Sequence, residues 1–246
     1  MYVDIFNTDK KYSVIYADPP WSYKAWDKGG NGCALNHYGT MTKQDIFNLP
    51  VNELAAKDCT LFLWVTFPCL EQGLETMRRW GFTYKTLGFC WVKRNKAFDK
   101  NIVKLSAQIA KGGVDAPTIA EKIKGLLSSW FWGLGFWSRS NPEVCLIGVK
   151  GKPRRASASV HSVVDTPVEG HSKKPDVVRD RIKELAGGGM AIELFARQCV
   201  DGWDCWGNEA PQDTERDAPP SPTVSERAIT PPRAAESEVV NNACAM

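Results

Sequence analysis

The chain has 246 residues, 43% hydrophobic and 24% charged, with a formal net charge of +3, which is globular composition and length enough for one α/β domain with a substantial core. Its longest apolar runs, such as "LFLWV" at 61–65, are too short to cross a bilayer, and the opening "MYVDIFNTDKK" lacks the basic-then-apolar pattern of a signal peptide. The eight cysteines (33, 59, 69, 90, 145, 199, 205 and 244) form no CxxC pair and no zinc-like grouping with the three histidines, so they read as reduced thiols in a cytoplasmic protein that needs no metal.

Short apolar runs alternate with amphipathic stretches along the chain. "SVIYA" (13–17) and "TLFLWV" (60–65) read as buried strands, being β-rich and nearly continuous. Between them "TKQDIFNLP" reads as a short helix, with Thr42 and Asp45 in capping-box spacing and Pro50 beyond its end. Leu70, Leu74 and Met77 share a helical face that Gly81 stops. "FTYKTLGFCWVK" (82–93) and "EVCLIGVKG" (143–151) are strand-like, and "SVVDTPV" (162–168) more weakly so. A helix with Pro175 in its first turn sets Val178, Ile182 and Leu185 on one face and ends at the glycines 187–189. "MAIELFA" (190–196) is a further buried strand, and "GWDCWGN" (202–208) closes the ordered part. Such alternation predicts a mostly parallel sheet with helices on both faces.

Two segments stand apart. In 97–129, the stripes Ile102, Leu105, Ile109 and Ile119, Ile123, Leu126 predict a helical hairpin inserted between strands. From Pro211 to residue 246 the chain is rich in Pro, Ser, Glu and Ala, and is expected to be a disordered tail after a domain over 1–210. Charge is uneven as well: residues 85–185 carry 19 Lys and Arg against 9 Asp and Glu, whereas 186–246 carry 4 against 10. A basic middle interleaved with aromatics ("WVKRNKAF", "SSWFWGLGFWSRS") predicts a nucleic-acid face, with Lys93, Arg94, Lys96, Arg139, Lys152, Arg154 and Arg155 as backbone contacts. A solvated lysine-rich surface is the plainer alternative.

The chemistry centres on "YADPPW" (16–21). A lone carboxylate after a buried strand is costly unless paired, and Pro19 and Pro20 carry no N–H and stiffen the turn. The segment therefore reads as a rigid loop that leaves main-chain carbonyls unpaired and displays Asp18 and Trp21 beyond a strand end, where open α/β sheets bind ligands. An exocyclic aromatic amine is a poor nucleophile because its lone pair delocalises into the ring. The Asp18 carboxylate and the Pro19 carbonyl could accept its two hydrogens and favour a pyramidal nitrogen, while Trp21 offers a stacking face. An ordinary Pro-Pro turn is the rival for these four residues alone.

"YADPPW", "YGTMT" (38–42), "LFLWVT" (61–66), "WGF" (80–82), "WVKRN" (91–95), "CLIGVKG" (145–151), "HSKKPD" (171–176) and "IELFARQ" to "GWDCWGNE" (192–209) follow one another in the order of a known family. The chain resembles the S-adenosylmethionine-dependent N6-adenine methyltransferases of the MT-A70 type, over about 12–96 and 130–209, and looks like the compact bacterial or phage branch. The resemblance implies a Rossmann-like methyltransferase fold, order-permuted so that the catalytic motif precedes the cofactor motif. It implies Asp18, Pro19, Pro20 and Trp21 as the catalytic tetrad. S-adenosylmethionine would be bound by Lys174, Glu193, Leu194, Phe195, Arg197, Asn208 and Glu209. Tyr38, Trp64 and Trp91 are candidate walls of the base pocket, and the loop 27–39 is a candidate lid. The residues after Arg197, "QCVDG", lack the polar pair that the resemblance implies at that place.

The expected activity is methyl transfer to the 6-amino group of adenine in DNA, by a monomer or homodimer that binds no membrane, in a bacterial or phage-infected cytoplasm. Two readings compete with it: the same chemistry on RNA adenosine, and a catalytically silent nucleic-acid-binding subunit. Having "DPPW" and "ELFAR" both intact speaks against the silent subunit.

Overall fold

The computed structural model describes residues 1–21, 41–133, 135, 137–170 and 173–211. Tyr38, the 27–39 segment and the tail beyond residue 211 lie outside the described residues.

The core is a seven-stranded sheet. In chain order the strands are β1 (Tyr12–Ala17), β2 (Ala55–Val65), β3 (Thr83–Arg94), β4 (Glu143–Lys150), β5 (Val163–Pro167), β6 (Ala191–Leu194) and β7 (Asp204–Trp206). Across the sheet they run β5-β3-β4-β2-β1-β6-β7. Strand β4 is antiparallel to both its neighbours, β2 and β3, and the other pairings are parallel. The expected mostly parallel α/β sheet is thus present, with one strand reversed.

The helices follow from local signals. In α1 (Lys43–Phe47), Thr42 and Asp45 form the reciprocal capping box that their spacing predicts. Helix α2 (Val51–Leu54) is one turn that the sequence did not announce, because Pro50 marks its start as well as the end of α1. Helix α3 (Leu70–Arg79) packs Met77 on the sheet and stops at Gly81, whose φ of 79° suits glycine. Helix α6 (Val177–Ala186) buries Val178 and Ile182, and Gly187 ends it at φ 79°. The two sheet faces hold separate clusters, one around Ile15, Leu61, Leu63 and Trp80, the other around Tyr16, Phe62, Trp64 and Phe89. Strands β1, β2 and β6 are therefore buried on both faces, which is why they read as unbroken apolar runs.

Helices α4 (Phe98–Lys111) and α5 (Ala116–Leu127) form the hairpin between β3 and β4. Its packing is sparse: α4 buries only Leu105 and α5 buries none of its residues. One cysteine pair departs from the all-reduced reading, because Cys199 and Cys205 are joined by a disulfide across the turn before β7. Their separation of six residues gives no motif in sequence; the fold brings the Cα atoms to 5.6 Å.

Candidate active site

Asp18 leaves the carboxyl end of β1, and Phe195 leaves the same end of β6 one strand over, since Ala17 pairs with Leu194. From β1 the chain crosses to β2 on one side, whereas from β6 it continues to β7 on the other. The two strands therefore part at a topological switch point, the crevice where doubly wound sheets take ligands. Strand direction thus brings together Asp18 and Phe195, 177 residues apart in the chain.

The Asp-Pro-Pro-Trp turn is rigid for reasons beyond its prolines. The Trp21 N–H donates to the Pro19 carbonyl at 2.8 Å, and the indole Nε1–H donates to the Trp64 carbonyl at 2.8 Å. Trp21 is buried, so it anchors the turn to β2 instead of offering an open stacking face as expected. The Pro19 carbonyl is likewise not unpaired. It accepts from Trp21 and keeps a second lone pair for another donor.

A row of alternating charges runs from this turn. Asp18 Oδ2 accepts from Lys174 Nζ at 2.8 Å; Lys174 lies 3.2 Å from Glu143, and Glu143 pairs with Lys93. Lys174, buried, also sits 5.5 Å from the centre of the Trp64 ring. Burial pushes the Asp18 carboxyl above its ordinary range and Glu143 pushes it the same way, while Lys174 and Arg197 oppose the rise. Glu143 goes the other way: burial would raise it, but Lys174 and Lys93 outweigh that and hold it down to about 2. Glu143 is therefore a fixed anion that keeps Lys174 charged beside Asp18. Local sequence does not mark it, because at the start of a strand it looks like any flanking glutamate.

The cofactor side divides. Leu194 is a core residue, fully buried. Glu193 is also buried, with both carboxylate oxygens held by Arg179 at 2.6 and 2.8 Å, so it ties β6 to α6 and is not presented to a ligand as expected. Phe195 is the one described non-glycine residue at positive φ, 63°, and its ring meets Trp206 edge-on at 5.4 Å. That left-handed turn throws the chain back so that Ala196 N–H bonds the Trp206 carbonyl at 2.9 Å. Gly207 fits only because it is glycine: a Cβ there would lie 2.3 Å from the Ala196 oxygen. Arg197 and Glu209 approach to 3.9 Å on the rim, and Asn208 is exposed beside them.

Trp64 and Trp91 are core residues, not pocket walls. The Trp64 Nε1–H donates to the Tyr16 hydroxyl at 2.7 Å, and the Trp91 Nε1–H to Thr166 Oγ1 at 2.8 Å. The expected backbone cations also separate. Arg94 is buried, bidentate to Asp165 and stacked 3.7 Å from the Trp130 ring centre, while Lys93 points inward to Glu143. Because β4 is reversed, Lys150 pairs with Cys59 near the amino end of β2. Lys152, Arg154 and Arg155 thus lie on the opposite edge of the sheet, about 15 Å or more along the strands from Asp18. Lys96 and Arg139 are exposed and stand in the segment that leaves β3 and enters β4 at the catalytic edge.

These groups fit S-adenosylmethionine: cations for a carboxylate (Lys174, Arg197), acceptors for hydroxyls (Glu209, Asn208), and the Phe195–Trp206 pair for an aromatic ring. Comparison with known proteins agrees. The MT-A70 family profile matches residues 12–120 and 131–209, so α4, expected to be an insertion, lies within the matched region. The chain is 31% identical to the type II methyltransferase M.MunI of a Mycoplasma species over 82% of this chain and 79% of that protein. It is 29% identical to the human N(6)-adenosine-methyltransferase catalytic subunit METTL3 over 81% of this chain, though only 28% of that protein is spanned. A Medicago truncatula MT-A70-like protein matches at 30% over 81% of this chain and 26% of its own length. With a carboxylate turn, a switch-point crevice and a matching cofactor rim already in place, the chain belongs to the MT-A70 family of S-adenosylmethionine-dependent adenine methyltransferases.

Proposed function

We propose that the enzyme methylates the 6-amino group of adenine in DNA, with Asp18 and the Pro19 carbonyl as the groups that grip the amine. The observation that carries this reading is the position of Asp18, on a turn fixed by Trp21 and one strand from the Phe195–Arg197 rim. Bound S-adenosylmethionine supplies an electrophilic methyl on a sulfonium. Asp18 spends Oδ2 on Lys174 and offers Oδ1 to one amine hydrogen, while the second lone pair of the Pro19 carbonyl takes the other. Held at both hydrogens, the nitrogen directs its lone pair out of the ring plane and toward the methyl, so positioning supplies much of the rate. After transfer the amine loses one proton, which Asp18, with its raised carboxyl, is suited to accept. An adenine in a duplex reaches this turn only by leaving its stack.

DNA is favoured because M.MunI, a DNA-modifying type II methyltransferase, matches along most of both chains. RNA adenosine is the second reading, favoured by the likeness to METTL3. Both place the enzyme in the compartment of its nucleic acid, and the bacterial cytoplasm suits the compact form. The deciding experiment incubates the enzyme with labelled cofactor and separate DNA and RNA pools, then digests each and identifies the modified base. Label in 6-methyladenine from DNA supports the proposal, and label confined to RNA replaces it with the second reading. Asp18→Asn should fold normally and lose at least about a hundredfold in turnover.

A further inference from the structure

The chain leaves β3 and enters β4 at the catalytic edge, and the described residues just before β4, 130–133, 135 and 137–141, are tied to the end of β3. At their base Trp130 bridges to Arg94, Phe131 N–H donates to the Lys93 carbonyl at 3.0 Å, and the Asn141 side chain bonds both main-chain groups of Lys93 and the Phe131 carbonyl. Higher up, Gly133 N–H donates to the Ser140 carbonyl at 2.7 Å, and a Cβ on Gly135 would collide with the Ser138 carbonyl, so the main chain at Gly135 and at Ser138 run close together. The loop presents Trp132 at 59% exposure and Trp137 at 102%, with Arg139 exposed beside it. A fully exposed indole contributes nothing to the core. It stands on a connection rooted at Lys93, which ends the charge row Asp18–Lys174–Glu143–Lys93.

We propose that Trp137 is the wedge that stacks in the nucleic acid next to the target, filling the place that the adenine vacates. This rests on the reading that adenine in a polymer is the substrate. Extrusion of a base costs stacking on both of its neighbours, and a flat aromatic side chain returns part of that whatever the neighbouring sequence. The basic character of residues 85–185 and the adjacent Arg139 suit a polyanion and not an apolar protein partner. The connection is rooted at the residue that neutralises Glu143, so insertion of Trp137 and alignment at Asp18 share one framework.

A wedge fills an abasic gap regardless of recognition sequence, so the test needs no knowledge of the target. Fluorescence anisotropy compares a labelled duplex with the same duplex carrying one abasic site, for the wild type, Trp137→Ala and Trp137→Phe. The wild type should bind the abasic duplex about tenfold tighter, Trp137→Ala should lose that preference, and Trp137→Phe should keep most of it, with unfolding temperatures unchanged. A preference that survives in Trp137→Ala overturns the wedge. So does a change in sedimentation caused by Trp137→Ala, which would assign the indole to a contact between copies. The digest described above is a separate readout. An enzyme that methylates adenine but treats all three proteins' duplexes alike refutes this inference and leaves the proposed function standing; a wild type that methylates no adenine refutes the proposed function itself.

Discussion

Replacing Arg179 by Met should show how the buried ion pair beneath the site holds it in place. Arg179 and Glu193 are each only 11% exposed and meet through two hydrogen bonds, while the second partner of Arg179, Asp176, is half exposed and adds little. Removing one member of such a pair leaves a buried carboxylate uncompensated, at about 3–5 kcal/mol. Protonation of Glu193 caps the loss, so the low end, about 3 kcal/mol, is expected at pH 8. For a folded unit of this size that lowers Tm by about 6–12 °C. The pH dependence has a definite sign. Burial already raises the Glu193 carboxyl above its ordinary range despite Arg179, and losing Arg179 raises it further. The native state then holds a proton that the unfolded state releases, so stability falls as pH rises through the raised value. The deficit against wild type must shrink on going from pH 8 to pH 5. Thermal unfolding at both values measures it, and titration with cofactor should show weaker binding, because the pair joins the helix behind Lys174 to the strand that carries Phe195. A deficit below about 1 kcal/mol, or one equal at the two pH values, would refute the reasoning, as would a double variant with Glu193→Met no more stable than Arg179→Met.

Three further outcomes can be checked. The acid limb of the kcat/KM profile should lie above the ordinary aspartate range, since the Asp18 carboxyl is raised and must be ionised to accept the amine hydrogen; Glu143→Gln should move that limb down and Lys174→Met should move it up. Gly207→Ala forces the main chain at Ala196 to shift, so it should cost about 1–3 kcal/mol in thermal unfolding and weaken cofactor binding measured by calorimetry. Charge reversal at Lys152, Arg154 and Arg155 should leave the salt dependence of DNA binding nearly unchanged, whereas Lys96→Glu with Arg139→Glu should flatten it, because only the latter pair stands on the catalytic edge.

Much of this was readable from the chain. Strands buried on both faces show as unbroken apolar runs, and caps such as Thr42–Asp45 are set by neighbours in sequence, so the elements and their order came from local rules. The turn at 16–21 pointed to Asp18 because stiffness and charge at a strand end are properties of a few adjacent residues, whereas the cofactor and the residues at 192–209 were legible only through the resemblance to a family. What lay beyond local reading was pairing between distant residues. Whether an indole is a pocket wall or a core plate depends on what covers it, and Trp21, Trp64 and Trp91 are all covered. Whether a cation meets phosphate depends on which way it points. The reversal of β4 sent one basic cluster to the far edge, and Glu143 and Asp165 drew Lys93 and Arg94 inward. The sequence by itself determined which chemistry is present; the tertiary structure decided which charges neutralise one another and which face the substrate, because burial and partnership are set by strand direction and not by neighbours in the chain.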